Sequence, residues 1–294
     1  AHVRKGDGAL TRDDLGAYEA IERPALVADI DDWHIATNPP PAVGGAVLTA
    51  MLLACGDLHA SEWDRTLLDK LIRVQRACLD FRRDQLDIAE DVDAATAELI
   101  RAAKQGQFLS RWSSSSTVHT SAVDDSGIAC AVTASSGYGS GEMPDGTGLW
   151  LNNGLGEIEL NRRDVDSREP GERLPSNMAP TVARSNDATM AIGSPGADRI
   201  TTAIHQVLVN TLQFGMPLAD AIAHPRIHVD TTGDTDQLRT EPGLDMPALD
   251  LPLHSFPDIN MYFGGVSVAT YDRRTGFEVA ADARREGGVF LSDA

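Results

Sequence analysis

Apolar residues recur at two different periods along this chain, and the period changes near residue 110. Upstream, Trp63, Leu67, Leu71, Cys78 and Phe81 return at near-helical spacing with charged residues between them, which predicts an amphipathic helix. Val92–Ala103 repeats that pattern, and Gly44-Gly45 opens a more uniformly apolar helix through Ala46–Ala54. Near the start, Thr11-Arg12-Asp13-Asp14 has the form of a capping box with Asp in place of Glu or Gln, and Leu15 and Tyr18 follow. Two short strands, Ala25–Ile30 and Trp33–Thr37, flank an Asp31-Asp32 turn. Asn38-Pro39-Pro40-Pro41 then halts regular structure, because each proline fixes φ and lacks a donor.

Beyond the run Ser113-Ser114-Ser115-Ser116 the alternation shortens to two. His119–Asp124 and Ile128–Ser135 read as strands around an Asp125-Ser126-Gly127 hairpin turn. Gly137–Gly141 is a flexible loop, Gly148–Leu151 predicts a short strand before Asn152-Asn153-Gly154, and the charged stretch Asn161–Arg173 predicts an exposed loop. Thr181–Arg184 and Ala188–Ile192 form another hairpin. Gly193-Ser194-Pro195-Gly196-Ala197 then leads into a helix with Ile200, Ala203, Ile204, Val207, Leu208 and Leu212 on its apolar face. Strands near Arg226–Val229, Gln237–Thr240, Gly264–Tyr271 and Phe277–Ala281 close the chain. Strand pairs, then helices, then strands imply a layered α/β sandwich rather than a βαβ series.

Composition narrows the function classes. The 294 residues, 42% hydrophobic, suffice for a sizeable core, and no apolar run approaches the ~18 residues of a membrane span. A formal net charge of −19 argues against nucleic acid and anionic membrane surfaces as partners. Cys55, Cys78 and Cys130 are too widely spaced for a disulfide framework or a zinc motif and read as buried thiols. The chain starts at Ala1 without methionine, as after removal of a native N-terminus, so localisation is not readable from it.

In order along nearly the whole chain, these residues resemble the γ-glutamyltranspeptidases, members of the N-terminal-nucleophile hydrolases. Gly8-Ala9-Leu10-Thr11 with Asp14-Leu15 and Tyr18, then Asn38-Pro39-Pro40-Pro41 with Gly44-Gly45, are similar to the end of that family's large subunit. Thr117-Val118-His119-Thr120-Ser121 with Val123-Asp124 is similar to the start of its small subunit. Leu151-Asn152-Asn153, Met178-Ala179-Pro180-Thr181, Gly193-Ser194-Pro195-Gly196 and Pro225-Arg226-Ile227-His228 follow in the family's order. The resemblance implies a four-layer αββα sandwich. It also implies self-cleavage between Ser116 and Thr117, giving a mostly helical large-subunit-like part, 1–116, and a small-subunit-like part, 117–294, that stay together as one composite domain. Family precursors carry a long additional upstream region with an arginine for the substrate carboxylate, and nothing here matches it. The loop Ser135–Gly141, with Ser136-Gly137 where an asparagine is expected, resembles the short-loop bacterial branch.

The chemistry implied centres on Thr117. Released from residue 116, it gains an α-amino group of reference pKa ~8, so nucleophile and base lie on one residue. Gly196 and Ala197 are the oxyanion donors by resemblance, each worth ~3 kcal/mol in such sites. The family usually has two glycines there, and the Ala197 N–H keeps the role if its φ is negative. Ser135 matches a hydroxyl near the nucleophile. Glu157 stands where many members hold the substrate's α-ammonium with aspartate, Asn152-Asn153 shape the pocket floor, and Ser176-Asn177 stands where a Ser-Ser pair meets the carboxylate. His119 packs or orients rather than catalyses. His224, His228 and Asp230 invite a metal reading, but Pro225 prevents helical presentation and the family uses no metal, so neither metal nor cofactor is expected.

These residues imply an amidohydrolase or acyltransferase acting on a small amino-acid-derived amide. The alternatives are a true γ-glutamyl transferase or glutathione hydrolase and, in another class, an unprocessed member that binds a ligand or partner.

Overall fold

The computed structural model describes all residues except 1, 7, 106–116, 158–160, 162–167, 232–234 and 293–294, and only the backbone of residues 2 and 4. Ser116 and residues 162–167 of the 161–173 stretch lie outside the described residues.

In chain order the elements are α1 (His2–Lys5), α2 (Arg12–Ala17), β1 (Leu26–Ile30), β2 (Trp33–Thr37), α3 (Val43–Cys55), α4 (Arg65–Phe81) and α5 (Val92–Gln105). After them come β3 (Val118–Val123), β4 (Ala129–Ala134), β5 (Thr181–Arg184), β6 (Ala188–Gly193), α6 (Arg199–Leu208), α7 (Leu218–Ala223), β7 (Ile227–Asp230), β8 (Gln237–Thr240), β9 (Leu253–Ser255), β10 (Ser267–Asp272) and β11 (Gly276–Ala281). The capping box at α2 forms: Asp14 N–H donates to Thr11 Oγ1 at 3.2 Å and Thr11 N–H to the Asp14 carboxylate at 2.7 Å. π-helical turns extend α4 through Arg82–Leu86 and α6 through Val209–Gln213.

Six strands form one antiparallel sheet in the order β1-β2-β5-β6-β10-β11. One face buries Ile35, Ala183, Met190, Ile192 and Val268 against Leu48 and Leu52 of α3 and Ile200, Ile204 and Val207 of α6. Each such side chain contributes roughly 1.5–3 kcal/mol by leaving water. Beyond α3, a second cluster joins Val47, Ala50 and Met51 to Cys78, Leu79 and Leu86 and to Leu99 of α5. On the opposite face of the sheet, the β3–β4 hairpin lies across β5, β6 and β10. Helices, large sheet and hairpin are thus three successive layers of an α/β sandwich. Residues 34–37 pair with 181–184 in this sheet, so the sequence on either side of residue 116 builds one body.

A three-stranded sheet, β7-β8-β9, stands beside α4. The outer edge of β7 is satisfied by side chains: Gln206 accepts from Ile227 N–H at 3.0 Å and donates to its carbonyl at 2.9 Å, and Gln75 accepts from Val229 N–H at 3.1 Å. A buried charge cluster ties β7 to the end of the chain. Arg226 pairs with Asp282 at 2.6 Å, Arg284 pairs with Glu241 and Asp282, and Glu241 also accepts the N–H groups of Arg226 and Asn260.

Three sequence expectations are corrected. Gly148–Leu151 is not a strand; Leu151 N–H donates to Glu142 O and its carbonyl accepts from Ser140, closing a local loop with which no strand pairs among the described residues. Asn161 is buried rather than exposed, because its amide donates to the carbonyls of Gly154 and Glu157. Cys55 and Cys78 are buried thiols, but Cys130 is exposed, since the odd positions of β4 take the inner face.

Candidate active site

The hairpin register pairs Val118 with Ala134 and His119 with Thr133, so Thr117 stands opposite Ser135, one step beyond the last pair. Side chains alternate across a strand, which places Thr117, His119 and Ser121 on the half-buried face with Thr133 and Ser135. That face looks onto the large sheet. The His119 ring lies so close to Gly193 that a Cβ there would stand 2.2 Å from His119 Cε1. Gly193 ends β6, and the next residues form the turn Ser194–Ala197 that opens α6. The hairpin carrying Thr117 therefore rests on the strand that delivers the Gly196–Ala197 turn.

Several groups brace this turn. Ser194 Oγ donates to Pro195 O at 2.6 Å and accepts from Gly265 N–H at 3.0 Å. Gly196 packs backbone to backbone on Gly264, where a Cβ on Gly196 would be 2.8 Å from the Gly264 Cα. Arg199 Nε donates to Tyr262 O at 3.0 Å, and its guanidinium holds the Asp198 carboxylate. Burial opposes charge on Asp198, yet Arg199, then His228 and Arg82, outweigh it and hold the carboxyl well below the usual range. Among the described residues neither the Gly196 nor the Ala197 N–H has a hydrogen-bond partner.

The backbone at Ala197 departs from expectation. Its φ is +62° and that of Gly196 is +135°, so the condition of a negative φ at Ala197 is not met. Left-handed residues are the means by which a tight turn aims successive N–H groups into one concavity. The N–H is retained; the methyl is the strained part.

Past Ser135 the loop closes on itself. Ser135 Oγ accepts from Gly137 N–H at 3.1 Å, and Ser136 O accepts from Asn153 N–H at 2.9 Å. Gly137, at φ +59°, comes so near Glu157 that a Cβ would stand 2.5 Å from Oε1. Glu157 is 4% exposed, and the Asn153 side chain packs on Gly156. Ser135, Asn153 and Glu157, far apart in sequence, thus share one loop cluster at the Thr117 end of the hairpin. Asn161, which sequence reasoning missed as part of a charged run, anchors the turn that presents Glu157.

Ser176 and Asn177 lie against the first turn of α3. Ser176 O accepts from the N–H groups of Val43 at 2.9 Å and Gly44 at 3.1 Å, supplying the cap that Ala42 lacks. Asn177 is 4% exposed, and neither end of its amide has a partner among the described residues. Asn38 donates to Met178 O at 3.0 Å, and Gly45 leaves room for the Asn38 backbone, so the two Asn-Pro and Met-Ala-Pro motifs interlock here.

Of the candidate metal ligands, His228 Nδ1 engages Thr202 Oγ1 at 3.0 Å and the Asp230 carboxylate takes Arg239 at 2.6 Å. His224 Nδ1 faces Pro225 O, and no metal-ligating group of three is found among the described residues.

A mixed α/β sandwich with a threonine at the start of its inner hairpin is the architecture of the N-terminal-nucleophile hydrolases, and known proteins place the chain within that class. A family-wide sequence profile described as Gamma-glutamyltranspeptidase matches residues 1–292, and the chain belongs to that family. The Glutathione hydrolase proenzyme of Escherichia coli is 26% identical over 285 residues, covering 85% of this chain and 49% of that protein. The Capsule biosynthesis protein CapD proenzyme of Bacillus anthracis is 26% identical over 97% of this chain and 55% of its own length. In fold, cephalosporin acylase from Bacillus halodurans superposes with a TM-score of 0.72 at 20% identity, over 99% of this chain and 57% of its own. The chain spans about half the length of the curated relatives it matches.

Proposed function

We propose that this chain is a self-processing amidohydrolase or acyltransferase that forms an acyl-enzyme on Thr117. The observation that carries the reading is the seating of the Thr117 hairpin on Gly193, directly before the Gly196–Ala197 turn. In maturation the Thr117 hydroxyl attacks the Ser116 carbonyl, the peptide bond gives way to an ester, and water releases the segment ending at Ser116. The α-amino group so freed accepts the Oγ proton as Oγ attacks a substrate amide. The C–N bond breaks, the leaving amine takes that proton, and water or an acceptor amine removes the acyl group. Developing negative charge on the carbonyl oxygen is met by N–H groups at Gly196 and Ala197, in front of α6.

The substrate class is a small amino-acid-derived amide. Glu157, buried in the cluster beside Ser135 and Asn153, suits an α-ammonium group, while Ser176 and Asn177 supply donors for a carboxylate. Glutamate in place of aspartate shifts the charge by roughly one bond length, ~1.5 Å, which favours a nonstandard acyl group over glutathione. A second reading, a true γ-glutamyl transferase or glutathione hydrolase, is supported by the E. coli relative, which is named a glutathione hydrolase.

The partners proposed are the two cleavage products for each other and, in addition, an upstream large-subunit segment like that of the relatives. The outward face of the hairpin supports the latter: Val118, Ala122, Val132 and Ala134 are exposed there, Val118 to 69%.

Denaturing gels and N-terminal sequencing test the reading. A product beginning at Thr117 is expected in place of the 31.4 kDa chain, and Thr117→Ala should abolish both cleavage and turnover. A wild-type chain that stays whole would instead support a non-catalytic binding member. Turnover of glutathione or a γ-glutamyl anilide with a dipeptide acceptor would favour the transferase.

A further inference from the structure

Both ring nitrogens of His119 are engaged: Nδ1 with Thr133 Oγ1 at 2.7 Å and Nε2 with Ser121 Oγ at 2.8 Å. Ser121 Oγ donates in turn to Ser267 O at 3.1 Å. A carbonyl only accepts, so the single Ser121 proton is committed to Ser267 and its oxygen must accept from His119. That requires a proton on Nε2. Burial keeps the ring neutral, with its pKa pushed down to about 4, so Nδ1 is bare and accepts from the Thr133 hydroxyl. The order is fixed throughout: Thr133 to His119, His119 to Ser121, Ser121 to Ser267.

This wire crosses the sandwich at one rung. Ser267 is the register partner of Gly193 in the β6–β10 pair, and Gly193 is the residue on which the His119 ring sits. The wire starts on β4 two residues before Ser135, passes through β3 two residues after Thr117, and ends beside the strand that opens the Ser194–Ala197 turn. Slipping the hairpin by one residue would turn His119 to the exposed face and break all three bonds.

We propose that His119 is a positioning residue, locked as the neutral Nε2–H tautomer between Thr133 and Ser121 and seated on Gly193, which sets the register of the Thr117 strand against the Gly196–Ala197 turn. Its consequence for turnover rests on Thr117 being the nucleophile; the tautomer and the seating do not.

Nitrogen NMR of histidine-labelled protein near neutral pH reads the tautomer directly, with the His119 signal identified by its loss in His119→Gln. A protonated Nε2 and a bare, hydrogen-bonded Nδ1 are expected; an Nδ1–H ring, a charged ring or an averaged tautomer mixture overturns the proposal. In kinetics, His119→Leu should lower kcat by about 100-fold with KM nearly unchanged, the loss that a displacement of ~1 Å produces. His119→Gln, which keeps one acceptor and one donor, should recover most of that loss. Wild-type kcat in His119→Leu would sink the positioning role. If the leucine variant does not fold, Thr133→Val and Ser121→Ala each remove one bond and should each lower kcat without moving KM; wild-type kcat in both is the opposing result. A chain that never yields Thr117 as an N-terminus refutes the proposed function, and the NMR spectrum still decides the tautomer.

Discussion

The Cα of Gly44 lies against the carbonyl of Asn177, so close that a Cβ would stand 2.1 Å from that oxygen. One residue opens α3; the other lies beyond the proposed cleavage point. Gly44→Ala should therefore destabilise the protein by about 3 kcal/mol or more, because neither the helix nor the Asn177 backbone has room to yield. Urea unfolding of the variant measures this, and an unchanged midpoint would contradict the tight contact.

Ala197→Gly should leave stability within about 1 kcal/mol of the parent, because the relief of a left-handed alanine is offset by the added freedom of the unfolded chain and by the loss of a buried methyl. The thermal midpoint reads it, and turnover should not fall, since the N–H is unaltered. A loss of about 1.5 kcal/mol or more, the full cost of the methyl and of the chain freedom together, would mean that φ +62° at this position carries no strain.

Acid should destabilise the fold before most carboxylates titrate. Burial lowers His119 and His205 from 6.5 to about 4, so the unfolded chain binds more protons between those values. Stability from these neutral rings is full above pH 6.5 and is lost as pH falls towards 4, by about 3 kcal/mol for the fully buried His205. Denaturation followed from neutral to mildly acid pH should show this slope, and His205→Leu should flatten it.

Glu241→Ala should cost about 3–5 kcal/mol, because it takes from buried Arg284 one of its two carboxylate partners and strips the Arg226 and Asn260 N–H groups of their acceptor. Replacing Glu241 and Arg284 together with apolar residues should cost less than the sum of the single changes. An additive double-mutant cycle in chemical unfolding would refute coupling between them.

The products of cleavage before Thr117 should elute together under native conditions and separate only in denaturant, because β2 of one pairs with β5 of the other and α3 completes the core over β6. Separation on a native sizing column would contradict this.

Much of this was legible from local signals. Thr11 and Asp14 announced a capped helix, and the alternation around Asp125-Ser126-Gly127 announced the hairpin, but not its inner face, which carries His119, Ser121 and Thr133 while Val118 and Val132 face outward. The Asn38–Pro41, Gly44-Gly45 and Met178–Pro180 motifs make physical sense only together, since the glycines exist to let distant backbone segments approach α3. What escaped the sequence depended on distant partners. The Gly148–Leu151 pattern reads as a strand, but among the described residues no strand pairs with it. α7 has six residues and β9 three, too few for periodicity to register. The backbone at Ala197 is dictated by packing of Gly196 on Gly264, sixty-eight positions away from Gly196 in the numbering, and no local rule foretells a left-handed alanine. The clustering of Glu157 with Ser135 and Asn153 was suggested by resemblance; its physical cause, the missing Cβ of Gly137, is visible only in three dimensions.

The two glutamines along β7 have a bearing on how the protein behaves in company. A bare strand edge is a template on which another chain can crystallise its own backbone. Here Gln206 holds the N–H and the carbonyl of Ile227, and Gln75 the N–H of Val229, with side-chain amides, chemical replicas of the peptide group. They act as a counterfeit neighbouring strand that cannot propagate, so this margin of the small sheet is sealed against strand-on-strand growth.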